Sequence, residues 1–155
     1  MLVLPFVMLA EMLVPGPPAI VAAAVPRSVD GLFGFQQYWL ESPPPPELAP
    51  EGEMPDVYHV YAEDVRLGER RVRIYLTYFK GLLASIELQP VEHGELADLR
   101  ADLVGMYGKP TRSGTLKTVW EGKLARMTWV QIFGATIVTL NSVKLEGDMK
   151  KAGAI

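Results

Sequence analysis

The sequence predicts an α+β domain: one antiparallel sheet of about five to six strands, in two hairpin-plus-helix halves, with the helices packed on one face. Three observations carry this. Strand texture, rich in aromatic and β-branched residues, begins at Asp56 and runs to about Pro90. A helical stripe follows at Leu96, Leu99, Leu103 and Met106. Strand texture then returns and ends in a second candidate helix.

Taken in order, "DVYHVYAED" reads as the first strand, with Glu63-Asp64 as turn chemistry at its end. "RRVRIYLTYFKGLLASIELQP" reads as a hairpin. A two-residue loop at Lys80-Gly81 would set Ile74 opposite Glu87 and mix apolar with charged residues on one face. A three-residue loop, Phe79-Lys80-Gly81, pairs Tyr78 with Leu82, Leu76 with Ala84, Ile74 with Ile86 and Val72 with Leu88. It leaves Tyr75 against Ser85 and Arg73 against Glu87 on the other face, and is the register expected here.

The helix in "HGELADLRADLVGMYGKP" stops at Gly108, with Pro110 beyond it. Two-residue loops at Glu121-Gly122 and Phe133-Gly134 organise the remaining strands. The first aligns Leu116 with Met127 and Thr118 with Ala125. The second aligns Trp129 with Val138 and Met127 with Leu140. Strand 124–132 is then central, partly covered on both sides. "NSVKLEGDMKKA" reads as a last helix capped by Asn141 or Ser142, with Leu145 and Met149 inward and Gly147 as a weak point.

Upstream of the strands, "SVDGLFGFQQYWLE" is a lead-in or edge strand, and "SPPPPELAPEGEMP" a stiff polyproline spacer or surface loop rather than a ligand for a proline-recognising module. The first 24 residues read as an export signal. The apolar core is Met1–Ala10 and Ala22-Ala23-Ala24 supplies a small-residue cleavage site, although no Lys or Arg precedes Arg27 and Glu11 interrupts the run. Glu11, Pro15, Pro17 and Pro18 argue against a spanning helix, which needs about 20 apolar residues. The organisation is thus an export signal over 1–24, lead-in and proline-rich stretch over 25–55, and the α+β domain over 56–155. Localisation is expected to be periplasmic or secreted, with a cytoplasmic protein as the alternative.

Composition bounds the chemistry. The net charge of −3 and pI near 5.4 argue against a nucleic-acid binder. The chain has no cysteine, which excludes disulfides, zinc–thiolate sites, thiol catalysis and a lipidated cysteine. His59, in a strand, and His93, at a helix start, lie in no metal-binding spacing and read as packed or exposed histidines. No serine sits in a nucleophile elbow; Ser113 lies in an ordinary loop. Asp98 and Asp102, with Glu95 near, read as a solvated helix face, and "GMYGKP" as a helix stop rather than a phosphate loop. No catalytic residue, metal or cofactor is assigned.

The aromatic-rich hairpin, "LVGMYGKP", the strand with Trp120 and the hairpin ending "TIVTLNS" together resemble a small exported bacterial α+β domain of uncharacterised function, over about residues 31–146. Such domains often open on a Phe-Gly segment like "GLFGF" followed by a short helix, where this chain has prolines. The resemblance implies no catalytic residues.

One surface feature stands out. Tyr75, Val130, Ile132 and Ile137 fall on the second sheet face, which would then be partly apolar and, if open, a binding surface. The competing expectation is that the N-terminal segment or the proline loop covers it. The leading functional expectation is a non-enzymatic domain of the bacterial envelope that binds a protein or envelope component. Alternatives are a small enzyme or ligand-binding domain with a site of scattered residues, and a purely structural envelope protein. The sequence sets no oligomeric state.

Overall fold

The structure, a computed structural model, describes residues 29–67, 70–91 and 96–155. The expected export signal and His93 lie outside these residues. In chain order the elements are α1 (Val29–Leu32), β1 (Gly34–Phe35), β2 (Tyr38–Trp39), a 3-10 turn (Pro46–Leu48), β3 (Val57–Leu67), β4 (Arg70–Phe79), β5 (Leu82–Pro90), α2 (Leu96–Tyr107), β6 (Arg112–Ser113), β7 (Lys117–Glu121), β8 (Ala125–Ile132), β9 (Ala135–Ser142) and α3 (Val143–Lys151).

This is a mostly-β protein, which corrects the balanced α+β expectation. A seven-stranded antiparallel sheet runs β3-β4-β5-β9-β8-β7-β6, and β1 and β2 form a separate two-stranded ribbon. One half of the large sheet is the three-stranded meander β3-β4-β5 and the other the four-stranded meander β6-β7-β8-β9, in which the short β6 is the strand the sequence did not announce. The halves meet where β5 pairs with β9.

Alternation along the strands sends one set of side chains to a common core. Leu76, Ile86, Leu140, Met127 and Trp120 form one row across five strands, and Ile74, Leu88, Val138, Trp129 and Thr118 the next. All ten are buried. The β8–β9 register is the expected one, with Trp129 opposite Val138 and Met127 opposite Leu140 around the Phe133-Gly134 turn.

Two other registers are corrected. At β4–β5 the loop is the two-residue one, Lys80-Gly81, with both residues at positive φ (48° and 83°) and Phe79 opposite Leu82. The register shifts between Thr77 and Tyr78, so that Ala84 is the extra residue. Ile74 then meets Leu88, and Glu87 meets Tyr75 on the other face. A bulge resolves the conflict that had argued for a longer loop. At β7–β8 the turn spans Gly122 to Ala125, closed by Gly122 N–H to Ala125 O at 2.8 Å, and Trp120 rather than Leu116 lies opposite Met127. The displacement is an even number of residues, so every side chain keeps its face.

The expectation that both helices share one face is also corrected. α2 lays Leu99, Leu103 and Tyr107 on these core rows. Gly108, at φ 80°, closes it with an N–H to Val104 O bond, and Trp120 Nε1 donates to Gly108 O at 2.8 Å. The lead-in covers the same face: Val29, Phe35, Tyr38 and Leu40 are buried in this core, and Leu48 of the 3-10 turn packs against it. α3 lies on the opposite face. Its Leu145 and Met149 bury against Phe79, Ala84 and Val57 in a second, smaller cluster. Burying two such side chains supplies about 1.5–3 kcal/mol each. Ser142 caps α3, accepting from Leu145 N–H at 3.1 Å while its hydroxyl donates to Glu41 at 2.8 Å. α3 follows β9 without a loop and covers only the end of the sheet where Phe79 lies.

Candidate binding face

Much of the rest of that second face is open among the described residues, although Val119 on β7 is buried. One row crosses all seven strands: Tyr61, Tyr75, Glu87, Thr139, Thr128, Val119 and Arg112. Beside it lie His59, Thr77 and Ser85 on one side, and Arg73 with Gln89 on the other. Continuing the β5–β9 register by one residue sets Gln89 beside Ile137, which pairs with Val130, which pairs with Lys117.

The structure therefore puts all four sequence-designated residues on this face. Tyr75 is half-buried on β4. Val130 and Ile137 are half-buried cross-strand partners. Ile132, 47% exposed, ends β8 beside the fully exposed Phe133. Tyr75 is not clustered with the other three, since β5 separates it from Ile137. The lead-in and proline stretch pack on the core side, so neither covers this face.

Over β3, β4 and β5 the face is hollowed into a shallow concavity of about 360 Å³ lined by His59, Tyr61, Tyr75, Thr77, Glu87 and Gln89. The rings of Tyr61 and Tyr75 sit 5.5 Å apart at 56°, a tilted pair. Tyr61 donates its hydroxyl to Asp64 at 2.8 Å, and this bond to a carboxylate pushes the phenol above its ordinary pKa. Asp64 also holds Arg71 at 3.2 Å, with Arg73 at 4.0 Å. It sits inside β3, past the shift between Tyr61 and Glu63, so the expected turn at Glu63-Asp64 is a strand irregularity instead. Gln89 Nε2 donates to Glu87 Oε1 at 2.5 Å, and His59 Nδ1 lies 2.9 Å from Thr77 Oγ1.

A histidine serving as a base is oriented by a carboxylate or carbonyl, whereas His59 is exposed and its Nδ1 meets a threonine hydroxyl. Asp102 on α2 is exposed and pairs with Arg70; the side chain of Asp98 lies outside the described residues. No three His, Asp or Glu side chains among the described residues come together as a metal set, and no helix among them is long and apolar enough to cross a membrane.

A second hollow, about 370 Å³, lies on the core side where the proline stretch passes Gln37, Tyr38, Ser42, Glu47 and Tyr78. Its phenols are locked. Burial, with help from the charge and hydrogen bond of Glu63, pushes Tyr38 up to about 12, and burial with the neighbouring Tyr58 does the same for Tyr78.

Sequence reasoning missed His59, Tyr61, Thr77, Glu87 and Gln89 as a group. The strand period puts His59 with Tyr61, and Glu87 with Gln89. Only the β3–β4–β5 registers bring these pairs together around Tyr75. Compared with known proteins, the chain matches no family model, no curated protein and no solved structure.

Proposed function

We propose that this chain is an exported, non-enzymatic binding domain of the bacterial cell envelope and that the open sheet face is its recognition surface. One observation carries the binding part. The lead-in, the proline stretch and α2 all stack on the core side, while the Tyr61–Tyr75–Glu87 row and the Val130–Ile137 pair stay uncovered by any described element. A partly apolar face with polar residues around it is the usual mark of a contact surface. The export part rests on the signal-like first 24 residues.

The test is co-sedimentation of the purified protein with isolated bacterial envelopes. Tyr75→Ala and Ile132→Glu are expected to release the protein, with melting temperatures recorded to confirm folding. Leu124→Glu, an exposed change at the β7–β8 turn, is expected to leave it bound. Equal sedimentation of all four proteins would overturn the surface assignment. Mass spectrometry of the cellular protein is expected to find a chain starting at Val25; an intact Met1 in the cytosolic fraction would overturn export.

A small enzyme is the second reading, because His59 and Glu87 line one concavity. The hydroxyl partner of His59 and the open shape favour binding over catalysis.

A further inference from the structure

We infer that the concavity over β3, β4 and β5 takes a neutral pyranose sugar, with the Tyr61–Tyr75 pair as the apolar platform and Glu87–Gln89 and His59–Thr77 as the hydrogen-bonding rim. This rests on the proposed binding face and names its ligand class.

Charge is the first argument. None of the lining side chains is Lys or Arg. Arg73, cross-strand from Gln89 at the border of the hollow, stands 4.0 Å from Asp64, which also holds Arg71. A phosphate or carboxylate ligand would find no cation in the hollow, and would meet Glu87. A metal ion or an ammonium group would find only that one carboxylate, and one of its oxygens already accepts from Gln89. The lining thus carries one carboxylate, already hydrogen-bonded, and no Lys or Arg, and its ligand is expected to be neutral.

Shape and surface are the second. The hollow lies on a sheet face, where the backbone of β4 is already spent in the ladders on both of its sides. An extended peptide is held through backbone bonds and would add at the outer edge of β3, beside the hollow and not in it. A purely apolar ligand would strand the polar rim. A pyranose has one flat C–H face and an edge of hydroxyls. Two tilted tyrosine rings fit the first, and planar carboxylate and amide groups two residues apart on β5 fit the second. The volume, about 360 Å³, falls at the low end of small-molecule sites, roughly 300–1,000 Å³. The hollow is shallow, so affinity is expected to be low, with Kd on the order of 1 mM for a free disaccharide.

The experiment titrates the intact purified chain with cellobiose, N,N′-diacetylchitobiose and maltose, followed by amide NMR shifts. At least one sugar is expected to give saturable shifts on β3, β4 and β5, unchanged within about twofold between roughly 50 and 500 mM salt. Tyr75→Ala and the more conservative surface change Glu87→Ala are each expected to weaken binding about tenfold, and Leu124→Glu, at an exposed position outside the face, to leave it intact. Three results overturn the inference: no saturable shift with any of the three sugars up to about 50 mM, wild-type affinity in both Tyr75→Ala and Glu87→Ala, or a tenfold loss in high salt. Envelope sedimentation separates the two levels. If it still depends on Tyr75 while no sugar binds, the sugar falls and the surface stands; if it ignores Tyr75, both fall.

Discussion

The carboxylate of Asp30 lies where a Cβ on Gly122 would have to be. A side chain built at Gly122 would overlap Asp30 Oδ1 and come within 2.9 Å of Ala125 O. The close approach lets Asp30 accept from three successive backbone N–H groups across more than ninety residues of sequence: Lys123 at 2.7 Å, Leu124 at 2.8 Å and Ala125 at 2.9 Å. The lead-in thereby fixes the β7–β8 turn, and this clamp accompanies the four-residue shift of that turn from the register its sequence suggested.

Removing the clamp is expected to destabilise the domain. Asp30→Ala leaves three N–H groups without their acceptor, as loss of a helix cap does, and costs about 1–2 kcal/mol, or about 4–8 °C in Tm. Gly122→Ala is expected to cost as much by displacing the carboxylate. The two changes couple, so the double variant loses less than the sum; additive losses in calorimetry would show that the contact is not shared.

The clamp also sets a pH dependence. Burial alone would raise the Asp30 pKa, but the N–H bonds from Ala125, Lys123 and Leu124 outweigh it and hold the carboxyl below its ordinary value. A lowered folded-state pKa means stability that is fully present above the unfolded value, near 4, and lost as pH falls through the folded one. The stability difference between wild type and Asp30→Asn is expected to be constant above about pH 5 and to shrink below about pH 4. Urea unfolding at stepped pH checks this; a difference that grows on acidification reverses the sign and refutes it.

The same clamp shows which parts of the fold were legible. Side-chain alternation assigned most faces correctly even where registers slipped, because β7–β8 moved by four residues and β4–β5 before its bulge by two; at the bulge the slip is one residue, and Ala84, expected on the core face, joins the second cluster. The open-face residues Tyr75, Val130, Ile132 and Ile137 could therefore be picked out from period alone. Registers depended on events the local sequence does not announce: the bulge at Ala84, and a carboxylate arriving from Asp30. Helix position was opaque for a related reason. Leu145 and Met149 signal an inward face, but only the placing of Phe79 and Ala84 on the second face of the sheet decides which side is inward.

Thr118 gives a prediction of opposite sign. It is fully buried in the row with Trp129 and Val138, and neither its hydroxyl nor Trp129 Nε1 finds a partner among the described residues. A buried polar group without a partner costs about 1–3 kcal/mol. Thr118→Val keeps the shape and is expected to raise stability by about 1 kcal/mol. A fall in Tm would mean that the hydroxyl is bonded in solution.

Three phenols report the core under alkali. Burial pushes Tyr107 up to about 12; Tyr78, through burial and its neighbour Tyr58, and Tyr38, through burial and Glu63, reach about the same. Their folded pKa values lie above the unfolded value near 10, so they contribute stability that is complete below about pH 10 and lost as pH rises through 12. Absorbance at the phenolate band is expected to show these three protons leaving together with the loss of tertiary signal. Ionisation of all six tyrosines before unfolding would contradict their burial.

Phe133 should separate stability from function. It holds the first position of the β8–β9 turn at φ 50°, followed by Gly134 at φ 78°, and its ring is fully exposed. Asparagine suits that left-handed position, whereas a bulky residue there is strained by roughly 1 kcal/mol. Phe133→Asn is therefore expected to raise Tm by about 2–4 °C. Ile132, 47% exposed, precedes Phe133 in the chain, and the exposed Leu116 accepts through its carbonyl from Gln131 N–H at 2.9 Å. The ring thus extends the open face into an apolar tip. If that tip contacts the envelope, the stabilised variant will sediment with it less well than wild type. A gain in stability with undiminished sedimentation confines recognition to the strands and leaves Phe133 outside it.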